Sequence, residues 1–201
     1  MRVTRAGLPL DVREAAELLR AYGRPWAVAG GWALDLALGR VTRRHADVDV
    51  AVFREDQAAL RAALPGWRFE VAAGGALAPW APGARLEPPV HEVHARPPSD
   101  AAGRALEFLL NERAGADWVY RRDPAVRRPL ARALLDVAGG VRVLAPELVL
   151  LYKSKAPRPA DEADFRAARP LLDAEARAWL RAALLGASPG HPWAAALDRE
   201  A

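Results

Sequence analysis

Residues 30–52 read GGWALDLALGRVTRRHADVDVAV. A glycine pair opens a short helical run, a basic turn follows, and Asp47-Val48-Asp49 leads into the apolar run Val50-Ala51-Val52-Phe53. Strand side chains alternate faces, so Asp47 and Asp49 project together while Val48 and Val50 enter the core. Two carboxylates on one strand face repel each other unless a cation lies between them. Hard oxygen donors at this spacing suit Mg²⁺, which brings substrate phosphates with it. The run after the acids is apolar on both faces, which predicts a central strand with acids at its mouth. Gly30-Gly31, between a strand and a helix, lets backbone N–H groups and the helix dipole approach a phosphate. The stretch therefore predicts a metal-dependent site for a nucleoside triphosphate. His45 fits either a ligand role or a hydrogen bond to an aspartate in the turn.

Composition bounds the rest. The chain has 201 residues, 52% of them hydrophobic, enough for one domain or a compact domain with a helical appendage. No apolar run reaches the length of a membrane span, and no apolar stretch follows Arg2 and Arg5 as a secretory signal would require. Cysteine is absent, which excludes disulfides and thiolate metal sites and fits an expected cytoplasmic location. All but two of the 29 basic residues are arginines, the two being Lys153 and Lys155. With abundant Ala, Gly and Pro this reads as a codon bias toward G and C. The arginines are interspersed with acids, which argues against a nucleic-acid surface.

Outside the opening stretch, Asp11 to Glu14 predicts a helix start with Asp11 as an acidic N-cap. Trp26–Ala29 is a short strand, and Glu55–Leu64 a helix with Ala58, Ala59 and Ala62 or Ala63 inward. Trp67–Ala72 alternates as a strand. Gly74–Pro89 lacks periodicity and is expected to be a long loop contacting substrate. Strands are expected at Val90–Ala95, Ala105–Leu110, Asp117–Tyr120 and Val141–Leu144. From Pro146 the pattern becomes helical, with helices opening at Pro146-Glu147, Asp161 and Asp173 and a last turn at Trp193–Leu197. The plan is α+β: a mixed sheet with flanking helices over residues 1–145, then a small helical half over 146–201, with a ligand cleft between them.

Gly30-Gly31-Trp32, Asp35, Gly39-Arg40, Thr42-Arg43, His45 and Asp47-Val48-Asp49 together resemble the signature of aminoglycoside 2''-adenylyltransferases and lincosamide nucleotidyltransferases, within the polymerase-β-like nucleotidyltransferase superfamily. The resemblance is strongest from Gly30 to Phe53. Pro146-Glu147, Leu151-Tyr152-Lys153, Arg158-Pro159, Asp161-Glu162 and Asp164-Phe165 resemble the helical region of a subgroup, and His191-Pro192-Trp193 its close.

This resemblance implies a nucleotidyltransferase-like mixed sheet, with Gly30, Gly31 and Arg43 on the triphosphate and Asp47 and Asp49 on Mg²⁺. It also implies a third carboxylate on a later strand as metal ligand and general base. Glu107 fits best, where relatives carry Asp; Glu92 and Glu112 compete. Lys153 offers a flexible charge to the triphosphate. Asp161 reads as a helix cap or partner of Arg158, and Phe165 as core. Trp118, Tyr120, Arg121 and Arg122 fit either an acceptor pocket or aromatic packing. The implied reaction transfers a nucleotidyl group, AMP from ATP, to a hydroxyl of a small molecule such as an aminoglycoside-type antibiotic. Other readings are a nucleotide-binding scaffold without turnover, or a transferase acting on a protein or RNA end. An aminoglycoside would want acids in its pocket, for which Glu87, Glu92, Asp100 and Glu112 are the candidates.

Overall fold

The computed structural model describes residues 8–73, 75–98, 105–137 and 139–198. The centre of the fold is β2 (Val48–Phe53), in which every residue but Asp49 is buried. Antiparallel β1 (Trp26–Val28) pairs with one edge of it, matching Val28 to Val50. Parallel β6 (Leu106–Ala114) pairs with the other, matching Asp49 to Glu107. Beyond β6 the sheet continues through β5 (Glu92–Arg96) and β3 (Arg68–Ala73) to β4 (Ala76–Pro79). Beyond β1 it continues through parallel β10 (Arg142–Leu144) to β9 (Leu134–Asp136). The far end of β6 turns into a small meander with β7 (Asp117–Val119) and β8 (Arg127–Pro129). The mixed α+β architecture expected from the pattern is present.

Helix α1 (Leu10–Leu18) begins after Pro9, and Asp11 sits in its first turn instead of capping it. Helix α2 (Gly30–Leu38) is buried from Gly31 to Leu36, as its nearly continuous apolar sequence requires. It ends on Gly39 in the left-handed conformation. The expected helix at 55–64 divides into a 3₁₀ turn (Arg54–Asp56) and α3 (Ala58–Ala63). Its inward residues are Leu60 and Ala63, while Ala58 and Ala62 are exposed. Leu60 has more apolar surface to bury than any alanine, and it sets the rotation of the helix.

The segment expected to be a long loop contains a strand and is anchored to the rest of the fold. β4 adds to β3, Trp80 packs edge-on against Phe69, and Leu86 N–H donates to the buried Gln57 side chain. Gly74 lies outside the described residues. Residues 127–136 form β8, α4 (Leu130–Ala133) and β9, where the sequence offered no signal. Their arginines hide the pattern: Arg128 is buried because Glu147 lies 3.0 Å away and Glu175 2.7 Å away.

The C-terminal helices are α5 (Pro146–Lys153), α6 (Pro159–Ala168), α7 (Ala174–Ala187) and α8 (Pro192–Leu197). Helix α5 is buried from Pro146 to Leu151 and packs on α2, α6 and α7. Helix α6 starts two residues earlier than expected, with Arg158 as N-cap and Asp161 in its first turn. Asp173 caps α7 by accepting from Ala176 N–H at 2.7 Å. Among the described residues no helix is long and apolar enough to cross a membrane.

Candidate active site

The site forms where β2, β6 and β5 present one row of side chains beside the start of α2. Asp49 is matched to Glu107 and Glu107 to His94, so the three share a face. Glu92, two residues before His94, shares it too. Glu92 Oε1 lies 2.7 Å from His94 Nε2, and ligand atoms of Glu92, His94 and Glu107 all lie within 4.8 Å of one another. Asp47 precedes the strand and is exposed. Glu112, five residues beyond Glu107, falls on the opposite face and accepts from Arg54 Nε at 2.6 Å. That leaves Glu107 and Glu92 beside the two aspartates.

Asp49 and Glu107 have no ion-pair partner among the described residues, and both carboxyls have raised pKa values. Burial, then the charge of Asp47, pushes Asp49 up to about 6, with Lys153 opposing. Burial, then the charges of Asp49, Glu92 and Asp47, pushes Glu107 up to about 8. A site built of clustered carboxylate oxygens that resist ionisation fits a hard divalent cation.

Gly30 lets Asp49 reach the helix. With φ of +57° at Gly30, a Cβ there would lie 1.8 Å from Asp49 Oδ2. A Cβ on Gly31 would lie 2.5 Å from the Arg43 guanidinium and from the His45 ring. The glycine pair is therefore required by close approach on both sides, Asp49 on one and the basic turn on the other. His45 is buried, lies 2.6 Å through Nε2 from Asp35 Oδ2, and has its ring centroid 4.4 Å from that of Trp32. Thr42 Oγ1 donates to the other oxygen of Asp35. Both residues hold the basic turn against α2.

Arg43 donates from Nε and a terminal nitrogen to Asp164 at 3.0 Å each. Asp164 also lies 3.1 Å from Lys153 Nζ, which is 2.6 Å from Asp161. Asp161 in turn accepts from Arg158 N–H at 3.0 Å and from Arg158 Nε at 2.9 Å. These partners hold the Asp164 carboxyl below its ordinary range although burial opposes them. The resulting chain of charges joins the basic turn to α5 and α6.

A cleft of about 390 Å³ opens between the sheet and these helices. Gly30, Asp49 and Lys153 line it, together with Glu92. Asp47 and Glu107 stand beside Asp49, whereas Gly31 and Arg43 lie behind Gly30, with Arg43 committed to Asp164. Phe165 is core and stacks on Trp193 at 4.4 Å. Trp118 is fully buried, its Nε1–H donating to Asn111 Oδ1, so it packs and does not line the cleft. Arg121 and Arg122 do line it.

Sequence reasoning passed over His94 and the clamp made by Asp164. The i, i+3 spacing of Asp161 and Asp164 opposite a rare lysine was the available signal for the clamp. Of the acids considered for an aminoglycoside pocket, only Glu92 reaches the cleft. Glu87 is exposed and pairs with Arg85 at 2.7 Å, Glu112 pairs with Arg54, and Asp100 lies outside the described residues.

The family model described as aminoglycoside-2''-adenylyltransferase matches residues 11–73. No curated protein matches the chain by sequence. The fold is similar to that of ANT(2'')-Ia solved in complex with adenylyl-2''-tobramycin, with a TM-score of 0.58 and 23% identity over 88% of this chain and 95% of that one. It is similar to lincomycin-bound lincosamide antibiotic adenylyltransferase LnuA, with a TM-score of 0.56 and 14% identity over 86% of this chain and 100% of that one. An antigenic nucleotidyltransferase-like protein from Paracoccidioides brasiliensis gives a TM-score of 0.51 and 19% identity over 98% of this chain and 94% of that one. At these identities the structural likeness is one of fold. The resemblance read from the residues between Gly30 and Phe53 is borne out by a family model covering that stretch and by the nucleotidyltransferase folds of the neighbours.

Proposed function

We propose that this chain is a Mg²⁺-dependent nucleotidyltransferase that moves AMP from ATP onto a hydroxyl of a small molecule and releases pyrophosphate. One observation carries the reading: Asp49 is seated on Gly30 at the start of α2 and in register with Glu107, which places carboxylates of raised pKa beside a helix N-terminus. The carboxylates suit a cation, and the free N–H groups of the helix suit phosphates. The combination is what phosphoryl-type transfer needs, since that chemistry rests on positioning and charge neutralisation.

Asp47, Asp49 and Glu107 would hold the metal, all through carboxylate oxygens. Mg²⁺, when bound, supplies charge neutralisation at the transferred phosphoryl group. Gly30 and Gly31 receive the triphosphate through backbone N–H groups, and Lys153, held by Asp161 and Asp164, contributes a fixed positive charge at the cleft. Arg43 supports this arrangement from behind Gly31. Glu107 accepts the proton of the attacking hydroxyl, a role open to it as an ionised carboxylate once a cation offsets its neighbours. Residues 1–145 then form the catalytic part, and residues 146–201 the helical part that carries Lys153.

The ANT(2'')-Ia and LnuA structures hold adenylylated tobramycin and lincomycin respectively, and both ligands are small hydroxyl-bearing compounds. The acceptor proposed here belongs to that broad class. Asp47→Asn and Asp49→Asn are expected to abolish Mg²⁺-dependent pyrophosphate release while leaving the circular dichroism spectrum unchanged. Near-normal release in either variant would sink the assignment. Wild-type protein that binds ATP but releases no pyrophosphate with any acceptor would instead be a nucleotide-binding scaffold.

A further inference from the structure

Two arginines on the cleft wall are not explained by the catalytic arrangement. Arg121 and Arg122 follow β7, and each guanidinium carbon lies 5.5 Å from the centroid of the Tyr152 ring. Arg122 also donates to Tyr120 Oη and to the Tyr152 carbonyl, both at 3.2 Å. The aromatic rings and these bonds fix the guanidinium planes at the cleft. Neither arginine reaches a carboxylate among the described residues. Arg43, Arg54 and Arg128, by contrast, each hold one. Arg121 is half-buried, and burial followed by the neighbouring Arg122 presses its pKa below the ordinary value. A desolvated guanidinium without an anion is costly, and a ligand anion would remove that cost.

The pair stands apart from the cations assigned to the triphosphate. On α5, Lys153 turns toward Asp161 and Asp164 of α6, while Tyr152 turns toward the loop after β7. Adjacent helical residues point about 100° apart, so the two sets of charges occupy different sides of the cleft. Lys153 acts on Asp49, whereas Arg121 and Arg122 act on His91. The cleft carboxylates are Asp49, Glu92 and Asp161. The first two belong to the acid cluster, and Asp161 is taken up by Lys153 and Arg158. Among the described residues, no acid remains on the arginine wall to receive an ammonium group.

We propose that Arg121 and Arg122 bind an oxyanion, phosphate or carboxylate, on the acceptor, so that the acceptor is an anionic hydroxyl compound and not a polyamine. This rests on reading the site as a nucleotidyltransferase. The planar fork of arginine recognises either oxyanion in bidentate fashion, which gives the wall its specificity.

The test measures pyrophosphate release and calorimetric binding for wild type, Arg121→Ala, Arg122→Ala and Arg121→Lys. The acceptors are panels of sugar phosphates and sugar carboxylates, with glucose as the neutral member and tobramycin as the polycation. Each alanine variant is expected to weaken anionic acceptors at least about tenfold while ATP affinity stays within about twofold, with partial recovery in Arg121→Lys. Preference between the two anionic panels identifies the oxyanion. Tobramycin or glucose binding as tightly as every anion, or an alanine variant weakening ATP instead of the acceptor, overturns the proposal. Arg121-dependent anion binding without pyrophosphate release from any acceptor would sink the transferase reading and leave the anion site standing. Transfer to tobramycin that is indifferent to Arg121 would do the reverse.

Discussion

Asp49 and Glu107 face each other across a parallel strand pair, and the charge of Asp49 raises the cost of ionising Glu107. Their folded pKa values, about 6 and about 8, lie above those of unfolded carboxylates, near 4. A raised carboxyl stabilises the fold at low pH, and that stability is lost as pH rises through the folded value. In chelator, the thermal midpoint of wild type relative to Glu107→Gln should therefore fall between about pH 5 and pH 8.5. Mg²⁺ should raise the wild-type midpoint more at pH 8 than at pH 5, because binding displaces protons. Equal Mg²⁺ shifts at the two values would refute the coupling.

Gly30→Ala tests the seat of Asp49. The methyl would meet Asp49 Oδ2 in a backbone conformation that already disfavours a side chain. A stability loss of about 1–3 kcal/mol is expected from the backbone strain. Displacing the carboxylate should lower kcat/KM by at least about 100-fold. Denaturant titration and steady-state kinetics measure the two effects separately, and unchanged kinetics would detach Asp49 from the chemistry.

Asp164→Asn removes a buried charge shared by Arg43 and Lys153. Breaking one member of such a network is expected to cost about 3 kcal/mol near neutral pH. Because the folded carboxyl is held below its ordinary pKa, the stability difference from wild type should shrink as pH falls toward the folded value. The KM for ATP should rise more than kcat falls, since Lys153 loses part of its support. A variant equal to wild type in both stability and KM would show that the clamp does nothing.

Arg128→Met probes a pair remote from the chemistry. Arg128 and Glu147 are both nearly inaccessible, and the loss of Arg128 strands a carboxylate whose burial already raises its pKa. About 3–5 kcal/mol should be lost, and Arg128→Met with Glu147→Leu should regain much of it. A double variant no more stable than the single one would show that the stranded charge was not the cause.

The parts legible in the sequence were those governed by short-range pattern. Gly30-Gly31 and Asp47-Val48-Asp49 announce themselves because glycine freedom and strand alternation act over two or three residues. Glu107 could be placed on the sheet because apolar neighbours flank it on a strong strand, and strand alternation puts Glu112 on the opposite face. Arg128 was not readable. An arginine in Arg127-Arg128-Pro129 looks solvated until Glu147 and Glu175 are brought to it from helices far along the chain. The segment at 75–90 misled for a related reason: its anchors, Gln57 and Phe69, lie outside it. Asp164 carried its helical spacing in plain view, but the partner that gives it meaning sits in the basic turn.

That partnership spans 121 residues of chain. Closing so long a loop carries an entropic cost that only later contacts offset. During synthesis the glycine pair and the aspartates emerge early, well before α6 exists to hold Arg43 and Lys153. A nascent chain stopped before Asp164 would carry the acids of the site without its clamp. On the proposed reading, nucleotide binding would arrive late in the protein's own assembly, and added ATP would favour completion of the fold.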